Sequence, residues 1–126
     1  MSAAPQWREI EIAVTGPAAA NPYLDVDAWA TFRHADGDEM RRPLFWDGGT
    51  TWRARFASTK PSGEWRWQVH ATDFPAAEGQ LTAAPAAADH PHRALTRGLV
   101  RTHPRHRSFQ HADGSPAFFV WDTAWG

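Results

Sequence analysis

Apolar and polar residues alternate with period 2 along several short stretches of this chain, and each such stretch predicts a strand buried on one face. The clearest pattern lies between Phe45 and Trp67. There Trp52, Ala54 and Phe56 alternate with Arg53 and Arg55, while Trp65, Trp67, Val69 and Ala71 alternate with Arg66, Gln68 and His70. Between the two runs, Ser58 to Gly63 supplies a proline that fixes φ and a glycine that tolerates positive φ, so the runs are expected to close as a β-hairpin. Asp47-Gly48-Gly49 predicts a turn just before the first of them. A lone hairpin is marginal in water, so other strands must cover its apolar face, and Trp52, Trp65 and Trp67 are assigned to the core.

The rest of the chain offers those strands. Trp7 to Thr15 alternates, with Ile10, Ile12 and Val14 on one face and Trp7, Glu9 and Glu11 on the other, and ends at Gly16-Pro17. Asp25 to Arg33 alternates again, setting Val26, Ala28, Ala30 and Phe32 against Asp27, Trp29, Thr31 and Arg33. His34 to Asp38 reads as a turn, and Met40 to Phe45 as a short strand in which Pro43 marks an edge or bulge. Further short strands are predicted at Gln80 to Ala83, Leu99 to Thr102 and Ser108 to His111, the last followed by a turn at Ala112 to Ser115. No amphipathic helix of useful length is predicted. Short strands separated by turn signals imply an all-β chain, an antiparallel β-sandwich of the immunoglobulin/fibronectin-like kind. Ala117 to Trp121 breaks the pattern: it is apolar without alternation, as in strands covered on both faces in parallel sheets and barrels.

Composition changes this picture little. The 126 residues are enough for a real core, and a net charge of −1 gives no global field toward nucleic acid or a membrane, so neither partner is expected. The charge is uneven: residues 1–89 carry 12 acids against 8 bases, and residues 90–126 carry 2 acids against 5 bases and five histidines. Cysteine is absent, which excludes disulfides, thiolate metal sites and cysteine nucleophiles. No apolar run approaches the ~18 residues of a membrane span. The start, Met-Ser-Ala-Ala-Pro-Gln-Trp, lacks the features of a signal peptide, so a cytoplasmic location is the expectation.

Six segments then point to a family: residues 21–26 (NPYLDV), 30–32 (ATF), 45–49 (FWDGG), 52–57 (WRARFA), 62–67 (SGEWRW) and 109–125 (FQHADGSPAFFVWDTAW). Together, and in this order, they resemble the N-terminal region of apiosidase-like glycoside hydrolases, where a β-sandwich of unknown function precedes a (β/α)8 catalytic barrel. The resemblance implies a sandwich accessory domain at 1–97, then a connection and the first barrel strand at 98–126, with the catalytic barrel as a partner in cis. The family's two catalytic carboxylates lie on later strands that this chain lacks, and glycoside hydrolysis needs such a pair. The chain is therefore expected to be a non-catalytic fragment that needs no cofactor. Residues 117–125, without their barrel neighbours, are expected to favour self-association through an unpaired strand edge.

Four residues are candidates for contact with carbohydrate. Trp7 and Trp29 fall on the polar faces of their predicted strands, and Trp46 adjoins a turn, so each has a ring available to stack on a sugar or to pack against a partner surface. By the resemblance, Asp122 stands at the C-terminal end of the first barrel strand, where barrel enzymes place substrate-binding groups. Free-standing sugar binding by the tryptophans is the rival to a purely bracing role. A small enzyme using Asp47 or Asp122 is a weaker third reading, since Asp47 fits a turn-forming aspartate better. Arg53, Arg55 and Arg66 are expected to pair with acids across strands. His90, His92, His103, His106 and His111 invite a metal hypothesis, but their scatter through proline-rich loops sets no ligand geometry, and no metal is expected.

Overall fold

The alternating stretches form strands, but they are shared between two sheets whose apolar faces meet. The structure, a computed structural model, describes residues 2–18 and 21–118. The chain divides into two compact units, Met1–Ala86 and Ala87–Gly126. In the first, the order is β1 (Ser2–Pro5), β2 (Glu9–Thr15), a single helical turn α1 (Pro22–Asp25), β3 (Ala28–His34), β4 (Glu39–Pro43), β5 (Phe45–Trp46), β6 (Thr51–Ala57), β7 (Glu64–Ala71) and β8 (Glu78–Ala84). One sheet has the order β1-β8-β7-β3-β4, and the other β2-β6-β5. Among the described residues all strand pairings in this unit are antiparallel except that of β1 with β8, which an isolated parallel bridge between Gln6 and Ser58 follows.

The core follows from the alternation. Ile12 and Val14 of β2 and Trp52, Ala54 and Phe56 of β6 turn inward from the smaller sheet, while Ala28, Ala30 and Phe32 of β3, Trp65 of β7, and Leu81 and Ala83 of β8 turn inward from the larger. Phe32 stacks on Phe56 at 4.3 Å between ring centroids, and Phe56 meets the edge of Trp65 at 4.9 Å. Since these strands belong to opposite sheets, the rings join the two layers. Each fully buried large side chain is worth roughly 1.5–3 kcal/mol, so this aromatic cluster is a main source of cohesion. Trp67 is less buried than Trp52 and Trp65. It packs beside the core over Gly79, where an added Cβ would come within 2.6 Å of the indole.

The expected hairpin between the two arginine-flanked runs does not form. β6 pairs with β2 and β5, whereas β7 pairs with β3 and β8, so residues 58–63 form an arch between the sheets. Alternation is satisfied equally by two strands side by side and by two strands face to face, and it cannot tell them apart. What stabilises the arch is polar and local. The Ser58 hydroxyl, fully buried, donates to the Lys60 carbonyl (2.8 Å) and accepts from the Lys60 amide (3.1 Å) and the Trp65 indole N–H (2.9 Å). Gly63 adopts φ +93 because His34 fills the space a side chain would need, its Nε2 lying 2.5 Å from an ideal Cβ. The His34 ring reaches the Ser62 carbonyl from Nε2 at 2.8 Å, and its Nδ1 lies 3.1 Å from both the amide and the carboxylate of Asp36.

Other boundaries shift for identifiable reasons. Trp7 lies in a turn between β1 and β2 with φ +67, its amide bonded to the Ser58 carbonyl, and so it is not on the polar face of a strand. The predicted strand from Asp25 begins only at Ala28, because Pro22 at the first helical position nucleates α1. Met40 to Phe45 is split: β4 ends at Pro43 on an edge of the larger sheet, and β5 begins the smaller sheet beyond buried Leu44. Proline, having no N–H, ends the ladder where the chain changes layer.

The second unit holds α2 (Arg93–Arg97), β9 (Val100–Thr102), β10 (Phe109–His111) and β11 (Pro116–Ala117), the strands forming an antiparallel sheet in the order β11-β10-β9. Buried His111 bonds the Gly98 carbonyl through Nδ1 at 2.9 Å. In the turn after β10, Asp113 accepts from the Ser115 amide and hydroxyl, which lowers its pKa. Most of the apolar run from Ala117 to Trp121, and Asp122, lie outside the described residues.

Candidate functional site

The outer face of the larger sheet carries side chains that alternation turns away from the core. Register arranges them in rows. Arg33 of β3 stands opposite Glu39 of β4 and Arg66 of β7, and Thr31 opposite Arg41 and Gln68. At the end of the face Trp29 lies opposite Pro43 and His70. On β8, Gln80 faces Arg66, and Glu78 faces Gln68. Thr31 is short among longer neighbours, and a cleft of about 630 Å³ opens over it, bordered by Arg33, Arg66, Gln68, His70, Glu78 and Gln80 among others.

Trp29 is enclosed from both sides. The Arg41 guanidinium of β4 lies 4.0 Å from its ring centroid, and His70 of β7 stacks at 5.9 Å with only 20° between planes. His70 is in turn fixed by a 2.8 Å bond between its Nε2 and the Thr31 hydroxyl. The three planar groups form one stack across adjacent strands, held by cation–π attraction and ring contact.

The structure does not bring the three candidate tryptophans together. Trp7 is in its turn, and Trp29 is within the stack. Trp46, directly opposite Trp52 in the smaller sheet, packs beside the core with its indole N–H on the Gly49 carbonyl at 3.0 Å and its ring edge-on to Tyr23. The Asp47 carboxylate does not cap its own turn. It accepts from Arg53 Nε at 2.6 Å, which raises the Arg53 pKa. Arg53 and Arg55 also reach Glu11 across the β2–β6 pair, as expected, whereas Arg66 pairs with Glu64 on its own strand. Among the described residues no group of three or more His, Asp or Glu is placed to hold a metal ion.

An electrostatic cluster ties the arch to the β3–β4 turn. Lys60 of the arch reaches both Asp36 (2.7 Å) and Asp38 in the β3–β4 turn. Its ammonium, with the Asp38 amide, holds the Asp36 carboxyl down to about 2, and the Lys60 pKa is raised in return. The acidic turn His34-Ala35-Asp36-Gly37-Asp38 was visible in the sequence, but its partner lies across the sandwich.

These features define an all-β sandwich domain with an exposed polar sheet face. The chain belongs to the family described as Domain of unknown function (DUF5060), whose model matches residues 3–72, from β1 to just beyond β7. It is also similar to a solved structure titled a "putative glycoside hydrolase" from Bacteroides vulgatus, at 26% identity and a TM-score of 0.75. That match covers 94% of this chain and 22% of the other, so the chain spans about a fifth of the length of the protein it resembles. No curated protein matches it at a significant level. No helix among the described residues is long and apolar enough to cross a membrane.

Proposed function

We propose that the chain is the front part of a glycoside hydrolase: a non-catalytic sandwich that braces a barrel carried further along the same polypeptide. The observation that supports this most is the similarity to a chain titled a "putative glycoside hydrolase", covering 94% of this chain and 22% of that one. In this reading residues 1–97 are an accessory domain of the apiosidase-like kind, and residues 98–126 are the connection and first barrel strand, with Asp122 at the sugar pocket. The immunoglobulin-like type is supported by strand order: β3, β4, β7 and β8 in one sheet face β2, β5 and β6 in the other, and β1 runs parallel to β8 at the edge.

The test is activity with and without the sandwich. A longer product of the same gene should cleave aryl glycosides, this chain alone should not, and removing residues 1–97 should lower the melting temperature of the remaining enzyme. Cleavage by this chain alone, or loss of it on replacing Asp47, would overturn the reading. A second reading, sugar binding by Trp7, Trp29 and Trp46 as a free-standing module, is weakened for Trp29 because neighbours cover its ring.

A further inference from the structure

We propose that the cleft on the outer face of the larger sheet binds an uncharged saccharide through Gln68, Glu78 and Gln80, at a site separate from Trp7 and Trp46. The choice of a saccharide rests on the glycoside hydrolase reading above. The choice of an uncharged one rests on the cleft. Arg33 and Arg66 stand directly opposite each other, an unfavourable pairing of like charges. Each is neutralised by its own carboxylate, Arg33 by Glu39 at 3.0 Å and Arg66 by Glu64 at 2.8 Å. Each positive charge is thus offset in place, so the face presents no uncompensated cation that would draw an anionic ligand, although guanidinium N–H groups remain free to donate to neutral oxygens.

What remains open is a mixed set. Among the described residues, Gln68, Glu78 and Gln80 have no intramolecular hydrogen bond or ion pair from their side chains. Each amide offers both donors and an acceptor, and the carboxylate offers acceptors only. An anion would meet Glu78, and a cation would find one carboxylate between two amides. A sugar hydroxyl donates and accepts at once, and a row of them on one ring can use the whole set. The cleft volume of about 630 Å³ is of the size that holds a small ligand. The bond between Thr31 and His70 fixes one wall before any ligand arrives. Trp67 is the indole that borders the cleft, and its ring packs against the core and over Gly79, so recognition here is by hydrogen bonds and not by stacking on an indole face.

The experiment is an NMR titration of this chain with uncharged gluco-, xylo- and arabino-oligosaccharides, using oligogalacturonate as the anionic comparison. The expected result is shifts confined to β3, β7 and β8 around Thr31, Gln68 and Gln80 for at least one uncharged probe, with a Kd of ~1 mM. Q68A/Q80A, at two exposed positions, should keep the folded spectrum and weaken binding about tenfold or more, while W7A and W46A should leave it unchanged. No shifts up to ~10 mM, binding that survives Q68A/Q80A, or tighter binding of oligogalacturonate would overturn the proposal. Glycoside cleavage by a longer gene product with a silent cleft would overturn this site and leave the accessory reading standing. Binding at the cleft in a protein without a barrel would sustain the site and remove the accessory reading.

Discussion

Ser58→Ala removes one oxygen at the point where the chain passes between the sheets. Ser58 and Trp65 are both 0% exposed, so when the hydroxyl is lost the Trp65 indole N–H has no acceptor and no water. A buried donor left unpaired costs ~1–3 kcal/mol. The Lys60 amide also loses its acceptor, but it lies in the partly exposed arch, where water replaces much of that bond. A destabilisation of ~2 kcal/mol follows, which for a unit of this size lowers Tm by roughly 8–16 °C. Calorimetry on Ser58→Ala, Trp65→Phe and the double variant separates the terms. Trp65→Phe removes the donor, so in that background Ser58→Ala should cost under ~1 kcal/mol, a coupling that distant residues would not show. Equal costs for Ser58→Ala in both backgrounds would mean that Trp65 does not depend on Ser58, and the inter-sheet arch would be wrong.

Other predictions follow from single contacts. Gly79→Ala drives a methyl into the Trp67 indole and should cost ~1–3 kcal/mol in urea titration, and a neutral result would place Trp67 elsewhere. Lys60→Met removes the cation that holds Asp36 at about 2 rather than 3.8. Because the folded value lies below the unfolded one, the pair contributes fully above 3.8 and loses that contribution as pH falls toward 2, so urea midpoints of Lys60→Met should fall less steeply over that window than those of the parent. Parallel midpoints for the two proteins would remove the Lys60 clasp from the account. Phe32→Ala should cost ~3–5 kcal/mol by opening the stack with Phe56, and less than ~1 kcal/mol by denaturant titration would contradict the sandwich core. A version ending at Arg97 should be more monodisperse in light scattering than the whole chain if residues 117–125 drive self-association, and equal behaviour would count against that role.

Strand identity was legible because alternation is a local property: Ile12 and Val14, Ala30 and Phe32, and Trp52, Ala54 and Phe56 are buried as their spacing requires. The assignment of strands to sheets was not. The linker from Ser58 to Gly63 has the proline and glycine of a hairpin loop, yet its decisive residues are Ser58, which bonds Trp65, and Gly63, which makes room for His34. Both act through partners that adjacent sequence does not reveal. β1, with two alanines and a proline, has too little pattern to be read as a strand and exists because it pairs with β8. The polar face that holds Trp29 was read from spacing, but the stack with Arg41 and His70 depends on β4 and β7 flanking β3, which is a matter of topology. The cleft depends on the same register, because Thr31, Gln68 and Glu78 are distant in sequence and adjacent only across three strands.

The central claim, that this sandwich serves a glycoside hydrolase, is tested most directly by determining the coding sequence for some ~250 residues past Gly126, the length of a typical barrel. An open frame with repeated strand–helix units and two carboxylates at strand ends is the predicted result. A stop codon directly after Gly126 would contradict it.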